Sequence, residues 1–443
     1  MESTQAVAPR EATRAETLAQ IVVRCMACGH TTDGVTPRTA CTECGGLLDV
    51  VVPLEALTPA DLGVGLPAAA QHSGVWRYWP LLPHLPGDSI VSRWEGHTPL
   101  YADDRLAAFA GLEAGALRLK HEGQNPTGSF KDRGMTVGVS HAKATGAKMV
   151  ACASTGNTSA SLASYAAAAG IPALVLAPAT KISAGKIAQT MAYGATLVQI
   201  EGDFDRALAL LRELTAAYDI YLVNSVNPFR LEGQKTIMYE TLEQLNWQAP
   251  DWIALPGGNL GNTSAFGKAL VELHQVGLID RIPKLAVIQA AGSAPFASYF
   301  QSGWEEYEAV HAETVATAIK IGDPASTPRA RRSIEATNGW VTSVSDGEIL
   351  DAKAAIDAAG IGCEPASAAS LAGLKALRQQ QVIRPGETAV ALLTGNILKD
   401  TDAITSYHLE DVNGAPRAAA NRPLRVAAEL AALEQALADA LHG

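Results

Sequence analysis

At 443 residues the chain is longer than one hydrophobic core usually serves, so two or three domains are expected. Hydrophobic residues make up 48% and charged residues 18%, a globular balance that excludes disorder as the default. Asp and Glu outnumber Lys and Arg by 45 to 34, a net charge of -11 with no basic cluster, which argues against nucleic acid and anionic membrane as partners.

Residues 1–20 read as a polar, flexible tail. Arg10, Arg14 and the acidic residues among them, with no apolar stretch, are unlike a secretory signal, so a cytoplasmic protein is expected. Residues 21–52 read as a separate small module built around two CxxC pairs. Residues 53–90, rich in Pro and short apolar pieces, suit a linker crossing a surface.

From Leu117 strand and helix patterns alternate. LRLKHEG reads as strand, GMTVGVSHAKATG as helix, KMVACAST as strand, SASLASYAAAAG as helix and PALVLAPA as strand. A helix near Ser183, the strand TLVQIEG and a helix capped by Asp203 follow; in the last, Phe204, Ala207, Leu208, Leu211 and Leu214 recur at helical spacing. The alternation resumes with DWIALP, a helix from about Asn262, KLAVIQA and the strand TAVALLTG. Such alternation predicts α/β architecture with parallel sheets.

The segment from Ala151 to Thr180 carries no charge, yet Ser154, Thr155, Asn157, Thr158, Ser159, Ser161, Gly170 and Pro172 break it up. It reads as loop, buried helix and buried strand, not the apolar run of about 20 residues that spans a membrane. Domain boundaries are expected at 53–134 with 246–410 for a large domain, 135–245 for a smaller α/β domain, and 411–443 for a helical extension. From Pro423, placed at N1, that extension predicts one amphipathic helix with Val426, Leu430, Leu433, Leu437 and Leu441 on a stripe, docked on the body or on a second subunit.

Four segments and a strand end carry the chemistry. In GQNPTGSFKDRG, Asn125, Pro126 and Gly128 punctuate a turn, Ser129 suits an N-cap, and Lys131 falls in the first helical turn, where the helix dipole and loss of water lower an amine's pKa. In STGNTSAS, hydroxyls, an amide and a glycine at a strand-to-helix junction can surround an anion. In PGGNLGN, two glycines after a strand let backbone amides approach a phosphate at a helix N-terminus. A fourth segment, NSVNPFRLEGQKT, supplies the amide of Asn224, the hydroxyl of Ser225 and the guanidinium of Arg230, the groups a second phosphate needs in an acidic protein.

Over about residues 92 to 402 these motifs, with LLTGNILKD at 392–400, resemble in order those of the fold-type II pyridoxal-phosphate enzymes, and among them the threonine synthase family. The resemblance implies two parallel-sheet α/β domains of the tryptophan synthase β kind with pyridoxal 5'-phosphate in the cleft between them. It makes Lys131 the lysine bound to the cofactor aldehyde, places Asn157 against the ring oxygen, and assigns the cofactor phosphate to Gly258, Asn259, Leu260, Gly261 and Asn262. Thr394 would face the pyridine nitrogen, and a neutral hydroxyl there restrains the electron sink and favours replacement at the β and γ carbons.

The loop with Ser154, Thr155, Asn157 and Thr158 would hold the substrate carboxylate, and Asn224, Ser225 and Arg230 the phosphate of O-phospho-L-homoserine. Gln234 and Lys235 extend that match. The expected reaction gives L-threonine and phosphate, with a homodimer as the expected assembly. One departure stands out: the family form TGHGLKD has Asn396 and Ile397 here in place of His and Gly, which puts the following turn in question. ATAIKIGDPAS at 316–326 is a partial match, with Lys320 and Asp323 where the family prefers Arg and Asn.

Cys25 and Cys28, Cys41 and Cys44 form the two CxxC pairs, separated by residues 29–40, each followed by glycine. In a reducing compartment this pattern predicts a closed four-thiolate structural zinc site of the zinc-ribbon kind. Arg24 and Arg38 are offset by Asp33, Glu43 and Asp49, so a contact role fits this module better than nucleic-acid binding. Cys152 and Cys363 read as buried small residues. Three other readings remain open: a cysteate synthase-like or sulfhydrylase-like enzyme, a dehydratase that would not need the Arg230 site, and a non-catalytic homologue that binds through its zinc module.

Overall fold

The computed structural model describes residues 13–442 apart from 56, 63–65, 155, 180–183, 202–203 and 413. Its first element corrects the flexible-tail expectation for residues 13–20. Helix α1 (Arg14–Ala19) opens with a reciprocal cap in which the Glu16 amide donates to the Thr13 hydroxyl and the Thr13 amide donates to the Glu16 carboxylate. Leu18 is buried, so this short helix is docked on its apolar side.

Strands β1 (Val22–Cys25), β2 (Thr31–Asp33) and β3 (Leu48–Val51) form a small antiparallel sheet in the order β2-β1-β3. Gly29 and Gly45, one residue after each CxxC pair, take positive φ of 76° and 72°, a conformation open to glycine at little cost.

Residues 53–90 do not behave as a surface linker. Val75, Trp76, Tyr78, Leu81, Leu82 and Leu85 are buried, and the indole N–H of Trp76 donates to the Thr136 hydroxyl at 2.8 Å. Aromatic and leucine side chains of this size bury more apolar area than a crossing linker could leave in water.

The body then alternates as expected. β4 (Leu100–Tyr101), α2 (Asp104–Phe109) and β5 (Leu117–His121) lead into α3 (Lys131–Ala144). β6 (Met149–Ala153), α4 (Asn157–Ala169), β7 (Ala173–Pro178), α5 (Ala184–Ala192), β8 (Thr196–Ile200), α6 (Phe204–Ala217) and β9 (Ile220–Leu222) build a four-stranded parallel sheet, order β8-β7-β6-β9.

Helix α7 (Pro228–Gln244) returns the chain to β10 (Trp252–Pro256), α8 (Gly261–Gln275), β11 (Lys284–Ala290), α9 (Pro295–Gln301), α10 (Thr327–Ala336), β12 (Trp340–Val344), α11 (Asp346–Ala358), α12 (Pro365–Gln379) and β13 (Ala389–Leu393). These strands join β5 and β4 in a six-stranded sheet, order β12-β11-β10-β13-β5-β4, parallel except for the antiparallel edge strand β4. β10 and β13 are buried at every position, which is why WIALP and AVALL read as continuous apolar runs without alternation.

One sequence expectation about a helix start changes. Ser129 does not cap α3: Phe130 occupies the cap position in right-handed helical conformation without a side-chain cap bond, and the Ser129 hydroxyl is buried with no partner among the described residues. Ser183 and Asp203, expected at the starts of α5 and α6, lie outside the described residues.

Residues 400–443 form a second compact unit, distinct from 1–399. It contains α13 (Thr401–Leu409) and α14 (Leu430–His442). The helix expected from Pro423 therefore starts seven residues later, and Pro423 is not at N1. Leu424, Val426, Leu430, Leu433 and Leu437 are all exposed, so no apolar packing within this unit holds 423–429 in helical form against its Pro and Val. The side chain of Leu441 lies outside the description.

Candidate active site

Two glycines decide how the site is assembled. A Cβ on Gly233 of α7 would lie 1.8 Å from the Arg133 carbonyl oxygen, and one on Gly134 of α3 would lie 2.9 Å from the Arg230 carbonyl oxygen. Backbone meets backbone at this crossing, so α3 and α7 come close enough for Arg230 of α7 to lie along Gly138 of α3. Lys131, Gly134 and Gly138 recur at helical spacing on one face of α3, which brings the Arg230 guanidinium toward the Lys131 amine.

Lys131 is partly buried at the start of α3, with its Nζ 3.6 Å from the centre of the Phe130 ring. Loss of hydration, helped by the neighbouring Arg230 charge and opposed by the Glu364 carboxylate, lowers its pKa from 10.5 to about 7. Near neutral pH this amine is therefore a nucleophile a substantial part of the time. Next to it, burial pushes the Asp132 carboxyl up to about 6, although it accepts from the Thr127 amide and hydroxyl, both at 2.6 Å, and from Ser161.

The segment expected to hold a second phosphate is buried apart from half-buried Ser225. Arg230 is only 2% exposed; its Nη1 donates to the Val223 carbonyl at 3.1 Å, while its Nε has no partner among the described residues. Burial lowers even this guanidinium to about 10. A buried cation with unused hydrogen-bonding capacity is costly unless an anion completes it. Ser225 is half-buried nearby in sequence. The Asn224 side chain accepts from the Ala153 amide at 3.1 Å and donates to the Ala153 carbonyl at 3.2 Å, so it ties the end of β6 and keeps a second N–H. Asn227, which the sequence reading passed over, caps α7 by accepting from the Phe229 and Arg230 amides.

PGGNLGN forms the turn from β10 into α8. Leu260 takes φ 62° at the cap, and the leading amides of α8 have no acceptor within the helix. A Cβ on Gly258 would come within 3.3 Å of the Ala318 carbonyl and of Ile319, so the ATAIKIGDPAS segment packs on the loop. Asn259 accepts from the Ala325 amide at 3.2 Å, and Gln234 donates to Asn262 at 2.6 Å, which ties α7 to the cradle. The Thr263 hydroxyl, on the first turn, is buried with no partner among the described residues. Amides at a helix N-terminus together with unpaired buried hydroxyls are what a phosphate group needs.

At the other wall, the turn from β6 into α4 carries Ser154, Asn157 and Thr158, all half-buried; Thr155 lies outside the described residues. The Asn157 amide donates to both oxygens of Glu364, at 3.2 and 3.0 Å. Thr394, at the end of β13, pairs its hydroxyl with that of Ser367 at 2.9 Å and donates to Glu364 at 3.4 Å. Glu364 and Ser367, at the start of α12, were missed in the sequence, where GCEPASAAS reads only as a Pro-led helix start.

The Asn396 and Ile397 departure is absorbed locally. The Asn396 amide donates to the Gly128 carbonyl at 2.9 Å and its side chain accepts from Leu398 at 3.0 Å, while Ile397 packs on Gly362.

Beneath the site lies an ionic lattice. Arg133 reaches Glu122 at 2.7 Å and Glu240 at 2.9 Å, and Lys120 reaches Glu240 at 2.6 Å, all essentially without exposure. The two cations hold the Glu240 carboxyl well below the usual range despite its burial. Lys235, included by resemblance in the substrate segment, pairs with Glu232 and Glu272 at 2.7 Å in a second buried ionic cluster that includes Lys268.

In the N-terminal module the sulfurs of Cys25, Cys28, Cys41 and Cys44 all lie within 4.8 Å of one another, with Cys25 and Cys44 at 3.5 Å and Cys28 and Cys41 at 3.7 Å. Thiolates at about 2.3 Å from a tetrahedral zinc ion stand about 3.8 Å apart, so this donor set fits. The Ala27 and Glu43 amides point at Cys25 and Cys41, each at 3.4 Å, and help hold negative sulfur.

A family model described as "Pyridoxal-phosphate dependent enzyme" matches residues 91–395. The threonine synthase of Methanocaldococcus jannaschii is 46% identical over 384 residues, covering 86% of this chain and 93% of that protein. That of Mycobacterium tuberculosis is 49% identical over 315 residues, covering 70% and 84%. The solved threonine synthase of Escherichia coli aligns with a TM-score of 0.65 at 20% identity over 91% of this chain and 95% of that one, a likeness of fold.

Proposed function

This chain belongs to the pyridoxal-phosphate dependent enzyme family, and on that footing we propose that it converts O-phospho-L-homoserine and water into L-threonine and phosphate, the threonine synthase reaction. The observation that carries the choice of substrate is Arg230, a buried guanidinium beside Lys131 whose Nε has no partner among the described residues. A reaction without a phosphorylated substrate gives such a cation no counter-charge.

Bound in the cleft, pyridoxal phosphate supplies an electron sink for charge developing at the substrate's α carbon. Lys131, with its lowered pKa, would hold the cofactor aldehyde and, as a free amine, would move protons at the substrate's α and β carbons as base and acid. The amides of Gly258, Asn259, Leu260, Gly261 and Asn262, at the N-terminus of α8, take the cofactor phosphate. Thr394, backed by Ser367, faces the ring nitrogen, and Asn157 the ring oxygen. Ser154, Thr155 and Thr158 take the substrate carboxylate. Arg230, Ser225 and Asn224 take the substrate phosphate and stabilise it as it leaves; Asn224 also holds the end of β6 in place.

The four cysteines hold a structural zinc ion, supported by the spacing of their sulfurs. The smaller domain comprises 135–245, which contains the four-stranded sheet, and the larger one comprises 53–134 and 246–410. A cytoplasmic homodimer without nucleic-acid or membrane partners completes the proposal; among the described residues no helix is long and apolar enough to cross a membrane. The test is phosphate release from O-phospho-L-homoserine with amino-acid analysis of the product. Threonine and phosphate in equal amounts are expected; phosphate released only from O-phosphoserine in the presence of sulfide or sulfite would overturn the reading.

A further inference from the structure

We infer that Glu364 is a positioning residue of the cofactor site, whose buried carboxylate aims the Asn157 amide and supplies the counter-charge for Lys131 and Lys399. The inference rests on the pyridoxal-phosphate reading above but not on the choice of substrate.

Glu364 sits at the cap position of α12 with extended backbone, φ -68° and ψ 155°, yet its side chain makes no capping bond there. It is only 4% exposed, and its amide donates to the Gly395 carbonyl at 3.1 Å, which pins it against the turn after β13. A Cβ on Gly395 would stand 2.3 Å from Glu364 Oε1 and 2.4 Å from Cδ. Glycine is therefore required in the TGN turn to admit this carboxylate, which is aimed away from its own helix and into the site.

There it meets both walls of the cofactor pocket. It accepts from Asn157 Nδ2 at 3.0 and 3.2 Å and from the Thr394 hydroxyl at 3.4 Å. An amide has two N–H bonds, so one held by Glu364 fixes the plane of Asn157 and leaves the other for the ring oxygen.

The charged and titratable groups around it come from several elements. Lys131 of α3 and Lys399, after β13, each have their cationic form favoured by Glu364. Arg230 of α7 faces Lys131, Asp132 is engaged with Thr127 and Ser161, and the thiol of Cys363 is held neutral by burial. Lys399 also bridges to Gln189 of α5 at 2.5 Å, so this cation spans from the large sheet to the small one. Without Glu364, the Arg230 charge would act unopposed on a cofactor lysine that works only if its proton can come and go.

The test is a pH titration of the visible absorbance of bound cofactor in the holoenzyme, for the parent protein, Glu364→Gln and Glu364→Asp, with no substrate present. Removing the carboxylate disfavours the protonated form, so the midpoint in Glu364→Gln is expected to fall by about one unit or more. Glu364→Asp, which keeps the charge on a shorter arm, is expected to hold the midpoint near the parent value and to bind cofactor more weakly, because the reach to Asn157 is lost. An unmoved midpoint in Glu364→Gln, an equal shift in both variants, or loss of cofactor from both alike would overturn the inference, since shape and not charge would then be what the site needs at 364. None of these readouts requires turnover, so a failed substrate assignment leaves the test intact.

Discussion

Replacing Arg230 with alanine separates the substrate-phosphate role from a structural one, because the two make opposite demands on stability. Arg230 is 2% exposed and, among the described residues, carries a hydrogen bond to Val223 and an Nε without a partner. Losing a charge-assisted contact to a phosphate costs about 1.5 to 3 kcal/mol, which corresponds to a fall of about 10- to 150-fold in kcat/KM for O-phospho-L-homoserine. The stability terms oppose each other. A cavity opens against Gly138 and Val223, on the order of 1 to 3 kcal/mol, while the burial penalty of an incompletely paired cation, of similar size, is relieved. The unfolding free energy is therefore expected to change by less than about 2 kcal/mol. Steady-state phosphate release gives the first quantity and urea unfolding the second. Removal of the neighbouring positive charge should also raise the pKa of Lys131 from about 7, though not to 10.5, because desolvation is the larger cause. Unchanged kcat/KM together with a loss of several kcal/mol in stability would refute the reasoning and make Arg230 a packing residue.

Lys131→Ala is expected to abolish the visible absorbance of bound cofactor, and a mutant with the parent spectrum would remove Lys131 from its role. In the parent apoenzyme, cofactor uptake should rise about tenfold per pH unit below about 7 and level off above it, since only the neutral amine attacks the aldehyde; stopped-flow absorbance checks this. Elemental analysis of freshly purified protein should find about one zinc per chain, and Cys25→Ser should lose it. Gly233→Ala should cost more than about 2 kcal/mol, because its Cβ meets the Arg133 carbonyl at 1.8 Å, whereas Gly347→Ala in α11, whose nearest neighbour is a hydroxyl at 3.8 Å, should be neutral or stabilising; urea unfolding compares them. His141 is neutral in the fold, lowered to about 4 by burial, so the unfolded chain takes up its proton first and stability should fall by about 3 kcal/mol as pH drops from about 6.5 to 4. Denaturant unfolding across that range should show a shallower fall in His141→Phe.

Much of the site was legible because its chemistry is local. A phosphate cradle needs glycines and free amides at one strand-to-helix turn, so PGGNLGN carries its own evidence, and a four-thiolate centre needs two short CxxC spacings, both visible in 20 residues of chain from Cys25 to Cys44. The parallel sheets followed from alternation and from strands buried on both faces. The capping box of α1 was also local, and tail-like composition obscured it. Residues 53–90 read as linker because 3-10 turns have no period long enough to register, although Trp76, Tyr78 and Leu81 are core.

The sequence by itself determined which residue types stand at each strand-to-helix turn, because steric freedom, capping and amide exposure depend on a few neighbouring residues. Only the tertiary structure decided that Arg230 is buried beside Lys131, that Asn224 ties β6, and that Glu364 meets Asn157 and Thr394. Those outcomes depend on the α3–α7 crossing at Gly134 and Gly233, and on Gly395 admitting a carboxylate from another helix. Distance between residues far apart in the chain has no signature in residue type or spacing, so it is set when the two sheets and their helices pack.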